Sequence, residues 1–228
     1  MSTTDRANLS RVTTTTPGKD GRRLRADGER SRHAILTAAA ELATVEGLDG
    51  LSIGRLADHV GMSKSGVFAH FRSKEELQIA TVDTAREIFD REVSTPALAA
   101  PEGVARVMAI CEAFLSHIER GVFPGGCFFI SAAAELEGKA GPVRDHVLAV
   151  YRELLEGLGQ LVLRAQEMGE LDPAADTDQL VFELDSLLVG ANMQFVFFDD
   201  RRAPDRARAG LRGLLERNAG PSPRGAER

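Results

Sequence analysis

The stretch SIGRLADHVGMSKSGVFAHFRSKEEL, residues 52–77, constrains this chain more than any other. It carries two short helical patterns, about 53–60 and 64–71, preceded by the capping serines Ser52 and Ser63. Two such short helices must cross steeply. The turn between them needs a residue that tolerates positive φ, and Gly61 stands there. A bulky side chain at the crossing would collide, and the small Ala57 lies four residues ahead of Gly61. Leu56, Val60, Met62 and Val67 supply the apolar inner faces. Together these positions describe a helix-turn-helix at about 52–71. An isolated Ala-x-x-x-Gly would carry no weight.

The outward face fits a recognition helix, which needs donors and close backbone approach rather than bulk. Ser63 and Ser65 can reach phosphates or base edges, and Lys64 a phosphate or a guanine. Gly66 removes a side chain that would hold the backbone away. Arg55 and Ser52 on the preceding helix, His70 at the boundary, and Lys74 in the first turn of the next helix complete the expected DNA-facing set. Phe71 is expected to close the three-helix unit as core.

Helical spacing of Ile35, Ala38, Ala39, Leu42 and Val45 predicts a helix over about 27–45 ahead of this motif, stopped at Gly47. Ser73 and Glu76 form a capping box for a helix running to about 93, where Pro96 and Pro101 are expected to break the chain. Further helices are expected at about 102–120, 127–137, 142–168, 176–199 and 204–217, the third opened by Pro142 at its first turn. The fold class is therefore all-α with about nine helices. Residues 1–26 form a basic tail without apolar periodicity, 27–75 a helix-turn-helix domain, 76–218 a second helical domain and 219–228 a second tail. The first tail is open to two readings: a solvated terminus, or an arm adding phosphate or minor-groove contacts.

Helix 27–45 together with residues 52–77 resembles the DNA-binding domain of the tetracycline-repressor (TetR) family. That family shows an apolar-Ala pair, a Gly, then Ser-Lys/Pro-x-x-apolar-Tyr-x-His-Phe and x-x-Lys-x-x-Leu. The matching residues are Leu56-Ala57, Gly61, Ser63-Lys64, Val67-Phe68, His70-Phe71, Lys74 and Leu77. One position departs: the family's Tyr, whose hydroxyl commonly bonds a phosphate, is Phe68, so either that contact is lost or His70, Ser65 and the N-terminal arm make up for it, with Phe68 left to pack.

The resemblance implies a homodimer on double-stranded operator DNA, held by the last two helices (176–199 and 204–217) as a four-helix bundle. It also implies a small-molecule effector pocket, with repression relieved by a population shift on binding. The apolar positions Leu180, Leu184, Leu187, Leu188, Ala191, Phe195 and Phe198, with Leu211, Leu214 and Leu215, agree with pairing through these helices, and Gly190 beside Ala191 permits close approach. For the pocket, polar groups amid aromatics mark Cys111, Phe114, His117, Phe128, Phe129, Asn192 and Phe195, with His117 and Asn192 as orienting groups.

Charge agrees with this division. The chain carries −6, but residues 1–77 carry +2 and 78–228 carry −8. Enzymatic chemistry is not expected. There is no nucleophile elbow, phosphate-binding Gly loop or HExxH. Cys111 and His117, six apart on one helix, point about 240° apart and form no dyad. The two cysteines have no metal-ligand spacing and read as free buried thiols, so no metal or cofactor is implied. No secretion signal is visible, and no apolar stretch reaches membrane-spanning length on this reading, which makes the cytoplasm the expected location. The alternatives are a DNA-binding regulator gated by a protein partner, or one without a ligand.

Overall fold

The computed structural model describes residues 19–221. Those residues are all-α. In order they form α1 (Lys19–Glu46), α2 (Ile53–Val60), α3 (Lys64–Phe68), α4 (Lys74–Phe89), a π turn (Asp90–Ser94), α5 (Thr95–Leu98), α6 (Val104–Glu119), α7 (Phe128–Leu136), α8 (Pro142–Glu167), α9 (Thr177–Phe197) and α10 (Ala203–Arg217). Because α4, the π turn and α5 join without a break, they make one rod, and the described residues form nine rods in all.

Local chemistry sets the ends. The Ser52 hydroxyl accepts the Arg55 N–H at 3.3 Å to start α2, and Gly61, at φ 67°, ends it in the left-handed region. Ser63 starts α3 by accepting from the Gly66 N–H at 3.1 Å. Ser73 starts α4 by accepting from the Glu76 N–H at 3.0 Å. Glu76 reaches back to the N–H of Arg72 at 2.8 Å, one residue beyond the usual reach of a capping box. Asp176 caps α9 with two bonds, to the N–H groups of Asp178 and Gln179 at 2.9 and 3.1 Å.

Five expectations need correction. The first helix begins at Lys19, so residues 19–26 are helical rather than tail, while 1–18 lie outside the described residues. Val45, counted with the apolar face, is exposed. The third helix ends at Phe68, where the N–H of His70 turns back to the carbonyl of Val67 at 3.0 Å. Pro96 does not break the fourth helix. The Thr95 N–H reaches the Asp90 carbonyl, five residues back, and this wider turn gives the proline ring room in the first turn of α5. Ala219 and Gly220 are held against the α8–α9 loop, where the Gly220 N–H donates to the Glu170 carbonyl at 2.9 Å. Residues 222–228 lie outside the described residues.

One connected cluster of buried apolar side chains runs from Ile35, Leu56, Val67 and Phe71 in the α1–α3 head, through Leu77, Val82 and Ile88 of α4, to Leu115, Phe128, Val162, Leu184 and Leu211. The head and the larger helical body are thus joined through α4. The middle of α1 adds an Arg32 guanidinium 5.1 Å above the Phe71 ring.

Candidate functional site

The α2–α3 pair has the geometry the motif demands. Ala57 and Leu56 are buried at the crossing, and the Met62 N–H returns to the Ala57 carbonyl at 2.9 Å. Val60 and Met62 are half-buried against the same core. This buries one side of α3 at Val67 and turns the other to solvent.

On that outer side Lys64 and Ser65 are exposed, and Ser65 Oγ lies 3.1 Å from Ser63 Oγ. The Lys64 stem lies over Gly54, where a Cβ would come within 3.2 Å of Lys64 Cε. A Cβ on Gly66 would press to 3.2 Å from Ser63 Oγ, so Gly66 protects the cap as well as a close approach. Phe68 is 58% exposed. It is not packed away in the core, and its ring forms part of the outward face. His70 is half-buried, its ring tilted against Phe71 at 6.3 Å.

Two of the expected cations already have partners. Arg55 pairs with Glu46 at the surface, a contact of small worth that breaks readily. Lys74 Nζ donates to the Asp49 carbonyl at 2.5 Å, so its ammonium sits at the α1–α2 loop. That loop is a junction. Glu135 of α7 accepts from the N–H groups of Leu48 and Asp49. Gln78 Nε2 donates to the Leu48 carbonyl at 3.0 Å, and Lys139 Nζ pairs with Asp49 at 2.6 Å. The hydrogen bond from Lys139 holds the Asp49 carboxyl below its ordinary range.

The helical body forms a cavity of about 310 Å³, partly open to solvent, between α4, the π turn, α5, α6, α7, α8 and α9. Its walls are apolar, with Phe89, Val93, Leu98, Ile110, Leu154 and Leu188 among them. The polar groups are few. Arg86 Nε donates to Asp90 at 2.9 Å, and Ser94 Oγ donates to the other Asp90 oxygen at 2.9 Å. Arg86 Nη1 is buried without a partner. The Tyr151 hydroxyl lies 3.4 Å from both oxygens of Asp185. Burial pushes the Asp185 carboxyl and the Tyr151 phenol above their ordinary values.

Of the seven residues expected at a pocket, Phe114 and Phe129 line this cavity. The other five do not. Cys111 is fully buried, with its thiol pushed up to about 12 by burial. Phe128 packs edge-on to Phe129 in the core. His117 is 1% exposed, stacked edge-on to Phe123 and Phe89, with both ring nitrogens unpartnered. Asn192 plays a structural part, its Oδ1 accepting the Cys127 N–H at 2.9 Å at the start of α7. Phe195 lies under the Arg201 guanidinium at 4.6 Å. Sequence reasoning missed Tyr151, Asp185, Arg86 and Asp90. They lie on helices whose surface-like polarity gives no sign that they turn inward.

α9 uses two faces. Leu180, Leu184, Leu188 and Ala191 are buried within this chain, as are Leu211, Leu214 and Leu215 of α10. These members of the expected pairing stripe are spent on internal packing, whereas Leu187 and Phe195 are half-buried and Phe198 is exposed. The free apolar face is a different one: Phe182, Met193 and Phe197, 66, 55 and 79% exposed, share a helix face with Gly190, around which nothing lies within 4 Å of a Cβ. This double use makes α9 long and apolar enough, by length and composition, to cross a membrane, contrary to the expectation that no such stretch exists.

Two family models match, one described as bacterial regulatory proteins of the tetR family over residues 35–81, the other as a tetracyclin repressor-like C-terminal domain over residues 103–211. Over 71 residues the chain is 38% identical to an HTH-type transcriptional repressor of Mycobacterium tuberculosis. That match spans 31% of this chain and 26% of the relative's length. The crystal structure of a TetR transcriptional regulator from Chloroflexus aurantiacus superposes with a TM-score of 0.79 at 27% identity, covering 86% of this chain and 98% of that one. AibR, solved with isovaleryl coenzyme A and operator DNA, shares the fold with a TM-score of 0.62 at 23% identity, over 81% of this chain and 97% of its own. With both its helix-turn-helix head and its helical body matched to the same group of regulators, this chain belongs to the TetR family of DNA-binding transcriptional regulators, not to a family of enzymes.

Proposed function

We propose that the protein is a homodimeric repressor that leaves its operator when a small molecule occupies the 310 Å³ cavity. DNA recognition falls to residues 27–75, and ligand binding and dimerisation to 76–218. It works in the cytoplasm, where its operator lies. The observation that carries this reading is continuity. The rod that lines the cavity with Phe89, Asp90, Val93 and Leu98 begins at Lys74, directly after the recognition helix. An occupant that shifts this rod moves the head relative to its twofold mate, and the two recognition helices lose the spacing of adjacent major grooves. The exposed face of α9 supports dimerisation, because an apolar stripe of this length is covered by a second copy in a protein that reads two half-sites. AibR's complex with an acyl coenzyme A and operator DNA supports both partner classes by analogy.

In this reading the DNA contacts come from Ser63, Lys64, Ser65, Gly66 and Phe68 on or beside α3. Ser52, Arg55, His70 and Lys74 add to these in the same reading, with Arg55 leaving Glu46 and Lys74 leaving the Asp49 carbonyl to do so. The test is a gel shift of purified protein on DNA flanking its own coding region, repeated with a metabolite library. A specific shift reversed by a compound supports the proposal. Operator binding that no cavity-occupying compound changes would overturn the gating, and failure of random-site selection would overturn operator recognition itself.

A further inference from the structure

The charge inside the cavity is unbalanced, and the imbalance has a place. Arg86 is matched by Asp90 at 2.9 Å through Nε, with its Nη1 buried and without a partner, and the second Asp90 oxygen is met by Ser94. Asp185, half-buried at the α9 wall, has no such match. Among the described residues it has no ion-pair partner, and its polar neighbour is the Tyr151 hydroxyl at 3.4 Å from each oxygen. A contact of that length, shared between two oxygens, satisfies little of a carboxylate's demand. The remaining charged lining residue, Glu153, is also acidic and is exposed. At the α9 wall, away from the Arg86–Asp90 pair, an anion therefore meets uncompensated negative charge, whereas a cation supplies the partner that the half-buried Asp185 carboxylate lacks. The remaining lining, with Leu98, Leu154, Leu158, Leu161 and Leu188, offers hydrocarbon for an apolar body. An aromatic edge is available as well, from Phe89, Phe114 and Phe129.

Building on the ligand-gated reading above, we infer that the cavity takes an apolar monocation: an amine or ammonium head held at Asp185 and Tyr151, on a hydrocarbon or aromatic body lying along the leucine walls. Burial already holds the Asp185 carboxyl above its ordinary range, and a bound cation draws it back down. Specificity then rests on charge at one end and volume at the other.

Three probes of nearly equal size, phenylbutylamine, phenylbutanol and phenylbutyrate, separate charge from shape. Each is titrated calorimetrically into the full-length protein at neutral pH, wild type and Asp185→Asn. The expected order is amine, then alcohol, then carboxylate, with the amine at least about tenfold ahead of the carboxylate. Asp185→Asn, which keeps the shape and the Tyr151 contact, should remove the amine's advantage while leaving alcohol binding within about twofold. A thermal melt of the variant checks its fold, and the wild-type comparison needs no variant. Carboxylate binding as tight as amine binding, an advantage that survives Asp185→Asn, or binding of none of the three overturns the inference. Displacement of operator by any other cavity-filling compound would still stand for ligand gating, so the two readings fail separately.

Discussion

The Glu135 carboxylate accepts the backbone N–H of Leu48 at 2.6 Å, across 87 positions of sequence, and its second oxygen takes the N–H of Asp49 at 2.9 Å. One side chain of α7 thus holds the loop that carries α1 into the helix-turn-helix. The fit is tight. A Cβ on Gly47, itself at φ 84°, would lie 2.8 Å from that carboxylate, and one on Gly125 would lie 1.9 Å from the Thr44 carbonyl oxygen. Since Phe129 and Ile130 of α7 line the cavity, the head is tied to it through α7 as well as through α4.

Glu135→Ala should therefore cost about 1–3 kcal/mol of unfolding free energy, from two amides left short of an acceptor. It should also reduce the ligand-induced fall in operator affinity, while Glu135→Gln, which keeps one acceptor, should fall between. Denaturant melts and gel shifts with and without ligand measure both quantities. Wild-type values in Glu135→Ala would assign the coupling to α4 alone.

Phe68 presents a ring, and no hydroxyl, where the family commonly has tyrosine. Adding the hydroxyl to an exposed ring costs the free protein nothing. Phe68→Tyr should tighten operator binding by about fivefold through one added phosphate bond. Lys64→Ala should weaken binding and lower the slope of log affinity against log salt by about 1. Binding isotherms across a salt series give both numbers, and an unchanged slope in Lys64→Ala would mean that Lys64 does not touch phosphate.

The free face of α9 predicts how the dimer is broken. Phe182→Asp with Phe197→Asp should yield a folded monomer by sedimentation, because both side chains are mostly exposed in the single chain. Leu184→Asp should instead unfold the protein, since Leu184 is fully buried. A doubly substituted dimer of normal stability would move the interface elsewhere.

His117 makes stability depend on pH. Burial lowers its pKa to about 4, against 6.5 in an ordinary setting. The unfolded chain therefore binds a proton more readily than the folded one. Stability from this residue is complete above pH 6.5 and is lost as pH falls towards 4. At pH 5 the loss should be about 2 kcal/mol relative to neutral pH. Urea melts of wild type and His117→Phe at both pH values test it: the variant should lose less stability between them, and equal losses would place the titration elsewhere.

How much is legible in the sequence follows from how local each signal is. Gly61, Ala57 and the capping serines act within a few residues, so the head and its outer face can be read directly. The cavity cannot, because its polar groups come from helices far apart in sequence and each looks like surface on its own. Tyr151 and Asp185 meet only when α8 and α9 pack. His117 and Asn192 mislead for the same reason: a polar residue among aromatics marks an interior, and an interior can be a packed core or a helix cap as easily as a pocket. The stripe on α9 reads as one face because apolar periodicity does not separate inward from partner-facing positions when a helix serves both.

The π turn at Asp90–Ser94 has a consequence for heredity. It holds one residue more than an α-helix would in the same span, so the two ends of the rod differ in rotational phase by about 100° from an unbroken helix. Loss of a single codon there would regularise the helix and leave Leu98 in phase with the cavity wall, but it would drive the Pro96 ring into the carbonyl four residues back. This stretch should accordingly accept substitution at its exposed position, Arg91, more readily than any deletion, a reading frame in which length is inherited strictly.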